Sequence, residues 1–363
     1  VRFIFLAFIS FLAASGGGGG GTYPASVIQN GLQAVYDLRL AGAVGPRTSQ
    51  CNGVFKVPGV DALPANTTFS GGNVITTGNA TFSCWNFTGI TGTVIGRGNT
   101  SVINYNDSKF APTVLAPTVN STQFYGLQCA DDGSTPTCNV NYSSFNGQKY
   151  QSNSGITGGW SGASYLVETG ATMTIDHSLF TGIPYDVGKC TNATLTLTNN
   201  YTQAYGWNIN GDNDAPQMIS CNWIGNDNLW DISDGASTAQ AGNFGSPPNS
   251  LFFNTIDTPS TQNSTQSFTN NIAYGWGQYG TTCCTNVNPT ANGLPFNVLS
   301  VCDNHTNTGS GLTLNLTATN NVIQKANNDY TTHGGTITSS ACLGTWTTNI
   351  DYDTSATITK PSF

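Results

Sequence analysis

From about residue 50 the chain is written in short runs in which apolar and small polar residues alternate, broken every few positions by Gly, Asn or Asp. Alternation places every second side chain on one face of a strand, so the pattern predicts many short strands, each with one buried face. A triplet of apolar, small polar and apolar residues on alternate positions recurs as Ile175-x-His177-x-Leu179, Leu197-x-Asn199-x-Tyr201 and Ile219-x-Cys221-x-Trp223, at two successive steps of 22 residues. It returns as Phe252-x-Asn254-x-Ile256, Phe268-x-Asn270-x-Ile272, Ala318-x-Asn320-x-Val322 and Trp346-x-Thr348-x-Ile350. A repeated step brings the chain back to the same azimuth one strand higher, which predicts coils joined through parallel strands about 4.8 Å apart, with apolar columns and Asn ladders inside. This places Leu179, Tyr201 and Trp223 in one buried column and turns His177 inward beside Asn199 and Cys221. A β-sandwich is the rival architecture, but it calls for more evenly spaced hairpin turns and gives no reason for two equal steps.

The first 50 residues read differently. An apolar run over residues 3–14 behind Arg2, followed by small residues, has the form of a secretory signal peptide over 1–15, too short for a membrane span. Six glycines make residues 16–22 a flexible tether. Residues 23–50 then hold a predicted short capping helix and linker: Ser26 caps, Ile28, Leu32, Val35 and Tyr36 share a face, and Gly42 ends it. The remaining domain is residues 51–363.

Composition sharpens the picture. Only 8% of the 363 residues are charged, against about 25% in ordinary soluble domains, and Glu168 is the only glutamate. Poverty in Glu, Lys and Arg argues against helical folds, so the fold class expected is all-β. A net charge of -8 argues against nucleic acid and anionic membrane surfaces as partners. Ten cysteines, no CxxC and three histidines point to disulfides in an oxidising compartment and away from zinc. Cys129 and Cys138 are expected to close the turn-rich loop between them; adjacent Cys283 and Cys284 call for separate partners, with Cys302 and Cys342 the nearest.

Chemistry could come from carboxylates. Asp212 and Asp234 are 22 residues apart, so on coils of that length they stack close together, with Asp214, Asp231 and Asp227 nearby. Such a pair suits a retaining glycosidase, in which like charges raise one pKa to make a general acid. The same oxygens around Asp212, Asp214 and Asp234 could instead hold Ca²⁺, and the bland alternative is that GDND, GNDN and SDG are turn sequences. Aromatic residues gather in the same stretch: Tyr205, Trp207, Trp230, Tyr274 and Trp276. Rings at turns beside uncharged amides and hydroxyls are suited to stacking on sugars; the alternative is that they cap the core columns. No cofactor is otherwise called for.

The stacked coils with interior apolar columns and Asn ladders resemble the right-handed parallel β-helix of the pectin lyase-like superfamily over roughly residues 51–355. The resemblance implies a carbohydrate-facing flank. The superfamily's polygalacturonase signature peptides are absent, and the only adjacent aspartates, Asp131 and Asp132, sit in the loop between Cys129 and Cys138. Two functions follow as expectations: a secreted or cell-surface protein that engages extracellular polysaccharide, as a glycoside hydrolase or polysaccharide lyase, or a non-catalytic adhesin, fibre or surface structural protein.

Overall fold

A computed structural model of the chain describes residues 44–111, 125–146, 164–183, 188–205, 217–219, 221–231, 264–274, 314–323, 342–351 and 357. All regular structure among them is strand, arranged in three sheets of seven, nine and eight strands. The predicted N-terminal helix and the two segments before it lie outside the described residues. Pairing is parallel throughout the sheets except at the opening hairpin, where Thr67–Ser70 runs against Asn73–Thr76. Gly71 and Gly72 make that turn with φ of 57° and 82°, the two positive angles a tight hairpin needs.

From Val94 to Asp231 the chain visits the seven-, nine- and eight-stranded sheets in strict rotation. Each strand therefore pairs with the strand one circuit earlier and one circuit later. In the nine-stranded sheet the inward row runs Phe82, Tyr105, Val140, Ile175, Leu197, Gly225, Phe268, Ala318 and Trp346 in unbroken register. The expected 22-residue step is present between Ile175 and Leu197 and between Leu179 and Tyr201. The next step is 28 residues: Leu197 pairs with Gly225 and Tyr201 with Leu229, whereas Trp223 pairs with Leu195. Ile219-x-Cys221-x-Trp223 is thus not the third copy of the repeat, although Trp223 is fully buried. Phe252-x-Asn254-x-Ile256 lies outside the described residues.

The corner between the nine- and eight-stranded sheets explains the error. In each of nine circuits one residue takes a left-handed conformation there: Cys84, Asp107, Tyr142, His177, Asn199, Asp227, Asn270, Asn320 and Thr348, with φ between 47° and 60°. Asn and Asp tolerate this region because short polar side chains bond locally, whereas a ring or a β-branch is strained there. The bend breaks the two-residue alternation, so the inward side chain is the one after the bend. His177 and Asn199 sit at the corner rather than in the column, and His177 is half-exposed. Leu179 and Tyr201 are likewise half-exposed.

What points inward is a ladder of Ser and Asn. The backbone N–H of Ser108 donates to Ser143 Oγ (3.1 Å), that of Ser143 to Ser178 Oγ (3.1 Å), and that of Ser178 to Asn200 Oδ1 (2.8 Å). The same bond runs on from Asn200 to Asn228, Asn271, Asn321 and Asn349 at 2.9–3.0 Å. Each of these inward amides also donates to a main-chain carbonyl one circuit back, as Asn228 Nδ2 does to Leu197 O and Asn271 Nδ2 to Gly225 O (2.9 and 2.7 Å). The bend removes these groups from the sheet ladders, and buried main-chain groups must be paired; the amides pair them. Beside the Ser portion, Phe87, Phe110, Phe145 and Phe180 form a stacked column with centroids 4.8–5.2 Å apart.

Three disulfides, Cys51–Cys84, Cys129–Cys138 and Cys190–Cys221, cross-link the described residues, the second as expected. Cys129–Cys138 ties the seven- to the nine-stranded sheet, and Cys190–Cys221 ties the seven-stranded sheet to the residue before the nine-stranded sheet's next strand. All six sulfur-bearing residues other than Cys84 are buried.

Two outcomes follow. Asn271→Leu leaves the Asn228 N–H and the Gly225 carbonyl unpaired at about 1–3 kcal/mol each, so urea unfolding should show a loss of about 2–6 kcal/mol; a neutral variant would mean that the ladder contributes nothing. In the chain-entropy account the 9-residue Cys129–Cys138 closure contributes about 3 kcal/mol. The double Ser variant should therefore melt well below the wild type, while reductant added to the native protein should leave the buried bonds intact by thiol trapping.

Candidate functional site

The register divides the residues picked out from sequence. Asp212, Asp214, Asp234, Trp207 and Trp276 lie outside the described residues. The 22-residue interval that linked Asp212 to Asp234 is not a circuit length in this part of the chain, where successive circuits take 28 and 43 residues. The other four lie on the eight-stranded sheet. Asp231 pairs with Gln203 on one side and Tyr274 on the other, in the row of half-exposed Asn146 and Thr181. Tyr205 follows two residues after Gln203, paired with Ile183. Trp230 instead takes the row of Phe180 and Thr202, both buried, so its backbone position is on the inward row and not at a turn. Asp227 is at the left-handed corner, where burial pushes its carboxyl pKa up against a hydrogen bond with Asn270.

A different ionisable group of residues comes together where strands of the seven-stranded sheet end. Gly96, Cys129 and Val167 are in register, so the residues that follow, Arg97, Ala130 and Glu168, leave at one corner on consecutive circuits. Ala130 N–H donates to Gly96 O and Glu168 N–H to Cys129 O, holding the three circuits together (2.9 and 3.0 Å). Ala130 has a φ of 69°, which swings the chain outward into the loop closed by the Cys129–Cys138 bond. Asp131 then meets Arg97 in a bidentate ion pair, Nε to Oδ1 at 2.5 Å and Nη2 to Oδ2 at 2.7 Å. Asp132 lies 3.9 Å from Arg97 Nε and accepts from Ser134 N–H at 3.0 Å. Gln128 Nε2 donates to Glu168 Oε1 at 3.3 Å.

The electrostatics push the two free carboxyls apart. Glu168 has its pKa raised, first by burial and then by the charges of Asp131 and Asp132, against the bond from Gln128. Asp132 is lowered, chiefly by its hydrogen bonds from Ser134, with Arg97 adding to the effect. Carboxyls at one corner with pKa values shifted in opposite directions are the kind of arrangement general acid–base chemistry uses. In the sequence Asp131 and Asp132 stand out only as neighbours inside the Cys129–Cys138 loop, and nothing local links them to Arg97 or Glu168. The available signal was the lone Glu168 at a strand end in a chain that otherwise avoids glutamate.

A second polar chain runs along the left-handed corner. Arg47 makes a bidentate pair with Asp107 (both 2.8 Å) and lies over the Tyr142 ring at 3.7 Å. Tyr142 stacks on His177 with centroids 4.7 Å apart, and His177 Nδ1 is 2.7 Å from Asp176 Oδ2. Thr198 and Asn199 donate to the other Asp176 oxygen. Gly45 N–H donates to His177 O, and its φ of 85° lets the chain pass close over Leu179. These bonds make a clasp between residues 44–47 and three circuits, and they occupy the His177 ring.

Among the described residues no group of three His, Cys, Asp or Glu is placed to hold a metal, and no helix is long and apolar enough to cross a membrane. No family model, curated protein or solved structure matches the chain.

The raised Glu168 pKa has a signed consequence. The folded protein keeps that proton to higher pH than the unfolded chain, whose glutamate titrates near 4.3, roughly. Across that window the folded state binds more protons, so its stability falls as pH rises. Glu168→Gln should match the wild type at about pH 3 and melt above it at about pH 7. A variant that melts lower at neutral pH would show the carboxylate to be stabilising.

Proposed function

We propose that this chain is an extracellular right-handed parallel β-helix, similar in architecture to the pectin lyase-like superfamily, that engages polysaccharide along its flank and cleaves it. The three-sheet rotation with parallel in-register strands and the buried disulfides support the architecture and the oxidising compartment. The observation that carries the activity is the gathering of Arg97, Asp131, Asp132 and Glu168 at one corner of consecutive in-register strands, with the Glu168 pKa raised by burial and by the two aspartates and that of Asp132 lowered by Ser134. Glu168 would donate a proton to the glycosidic oxygen; Asp132 would act as base or nucleophile; Arg97, neutralised by Asp131, would bind hydroxyls from its remaining N–H groups. The flank that carries Asp231, Tyr205 and Tyr274, with Asp212, Asp214, Asp234, Trp207 and Trp276 from the same stretch of sequence, is the alternative place for the sugar; Trp230, on the inward row, is not part of it. Ca²⁺ is the alternative occupant of its aspartates.

The second reading, a non-catalytic adhesin or surface structural protein, is favoured by the nearly charge-free outer face of the nine-stranded sheet.

The test is a panel of neutral and acidic polysaccharides, scored for reducing ends, for unsaturated products and for pull-down. Glu168→Gln should lose product release at least about 100-fold, the size of a general-acid contribution, while still being pulled down. Product release unaffected by Glu168→Gln moves the chemistry to the Asp212 flank, to be checked with Asp212→Asn and Asp234→Asn. Pull-down without any product from the wild type leaves the adhesin reading standing.

A further inference from the structure

The outer face of the nine-stranded sheet has a chemistry that the proposed cleavage site does not use. Its strands pair with no slip from Ala80–Ser83 to Cys342–Thr347, so outward side chains fall into straight rows. One row includes Thr174, Thr196, Ser267, Thr317 and Thr345, and the row two residues along includes Thr198, Thr269, Thr319 and Thr347. On the earlier circuits Asn104, Asn139, Asn106 and Asn141 continue both rows. Neither row contains an aromatic ring, a Lys or an Arg, and the only charge is Asp176, which is held at the edge by His177, Thr198 and Asn199.

The rows are ordered before anything binds. Asn139 donates to Asn104 at 3.0 Å and Asn141 to Asn106 at 3.1 Å. Ser267 reaches Asn226 at 3.4 Å, and Thr269 reaches Thr319 at 3.3 Å. Rung-to-rung bonds of this kind fix rotamers, and side-chain ladders are what hold a wide sheet against twisting. The result is a two-dimensional grid. Polar groups repeat about every 4.8 Å from strand to strand and about every 6.6 Å along a strand. Nine strands carry the grid over roughly 38 Å.

We infer that this face binds the surface of an ice crystal. A soluble anion finds no opposite charge on it, a cation finds only Asp176, already engaged by His177, Thr198 and Asn199, and a pyranose finds no ring on which to stack its apolar face. Ordered water needs neither. The oxygens of a prism face of hexagonal ice also repeat in two perpendicular directions, the shorter repeat near the strand spacing and the longer one somewhat above the spacing along a strand. Thr supplies a hydroxyl that can take a lattice position and a methyl group that excludes mobile water, and Ile224, half-way along the first row and exposed, adds apolar surface without breaking the register. Each contact is weak, but many fixed groups meeting one rigid lattice act together, and their prior ordering removes most of the entropy cost.

The test uses the full chain with intact disulfides. Thermal hysteresis, the gap between melting and freezing of a seeded crystal, should be present in the wild type and absent from an equal concentration of an unrelated protein. Thr196→Tyr and Thr317→Tyr, which raise a bulky ring above the grid, should each lose most of that gap with unchanged circular-dichroism melts, whereas Val60→Tyr, at an exposed position off the face, should retain it. All three variants should keep any polysaccharide cleavage dependent on Glu168, so the two proposals fail separately. A folded wild type without hysteresis overturns the inference, as does full hysteresis in both Tyr variants. Retention of the wild type on insoluble cellulose, lost in Thr196→Tyr and without hysteresis, would assign the face to a sugar lattice instead.

Discussion

The structure depends on how the chain turns the corner between its nine- and eight-stranded sheets. Every circuit must bend there, and a left-handed residue makes the bend at the cost of withdrawing main-chain groups from the parallel ladders. In a wall that is buried on one side, those groups have no water to turn to. The inward Ser and Asn side chains answer that need, each accepting from the circuit before, and the Asn amides returning a bond to its carbonyl. One side-chain ladder thereby sets the height of every circuit against its neighbours.

Fixed register has consequences on both faces. Inside, it lines up Phe87, Phe110, Phe145 and Phe180 as a continuous stack, and Phe82 over Tyr105 at 5.0 Å. Outside, it converts a scatter of Thr, Ser and Asn into straight rows. Where the seven-stranded sheet ends, it carries Arg97, Asp131 and Glu168, far apart in sequence, to one corner. The inner amides hold the circuits in place; the outer residues are free to differ in chemistry from one corner to the next. The low charge of the chain fits this division, because parallel stacking would set like charges about 4.8 Å apart in every row.

The corner that follows the seven-stranded sheet is where the chain departs from its own habits. It brings together the only glutamate, a disulfide loop and a half-buried ion pair from three separate stretches of the chain. Burial and the two aspartates work against the Glu168 charge, and Ser134 works in favour of that of Asp132. Carboxyls whose pKa values are moved in opposite directions by their neighbours, in a protein that elsewhere avoids charge, are the most chemically specialised feature among the described residues.

The sequence by itself determined that the chain is built of short strands with one apolar face, that parallel circuits recur, that Asn ladders accompany them, and that Cys129 joins Cys138. Alternation and composition are local properties, and they survive folding. Circuit length was not legible, because the connections between strands vary from 22 to 50 residues per turn and only pairing reveals where one turn meets the next. For the same reason alternation alone points to Asn199 as the inward rung, where the structure has Asn200, and sets Trp223 beside Tyr201, where the structure has it beside Leu195: a single left-handed residue shifts the inward parity by one, and nothing in an Asn-Asn pair tells which of the two bends. Only the tertiary structure could bring Arg97, Asp131 and Glu168 together, since their proximity comes from the stacking of three circuits of unequal length.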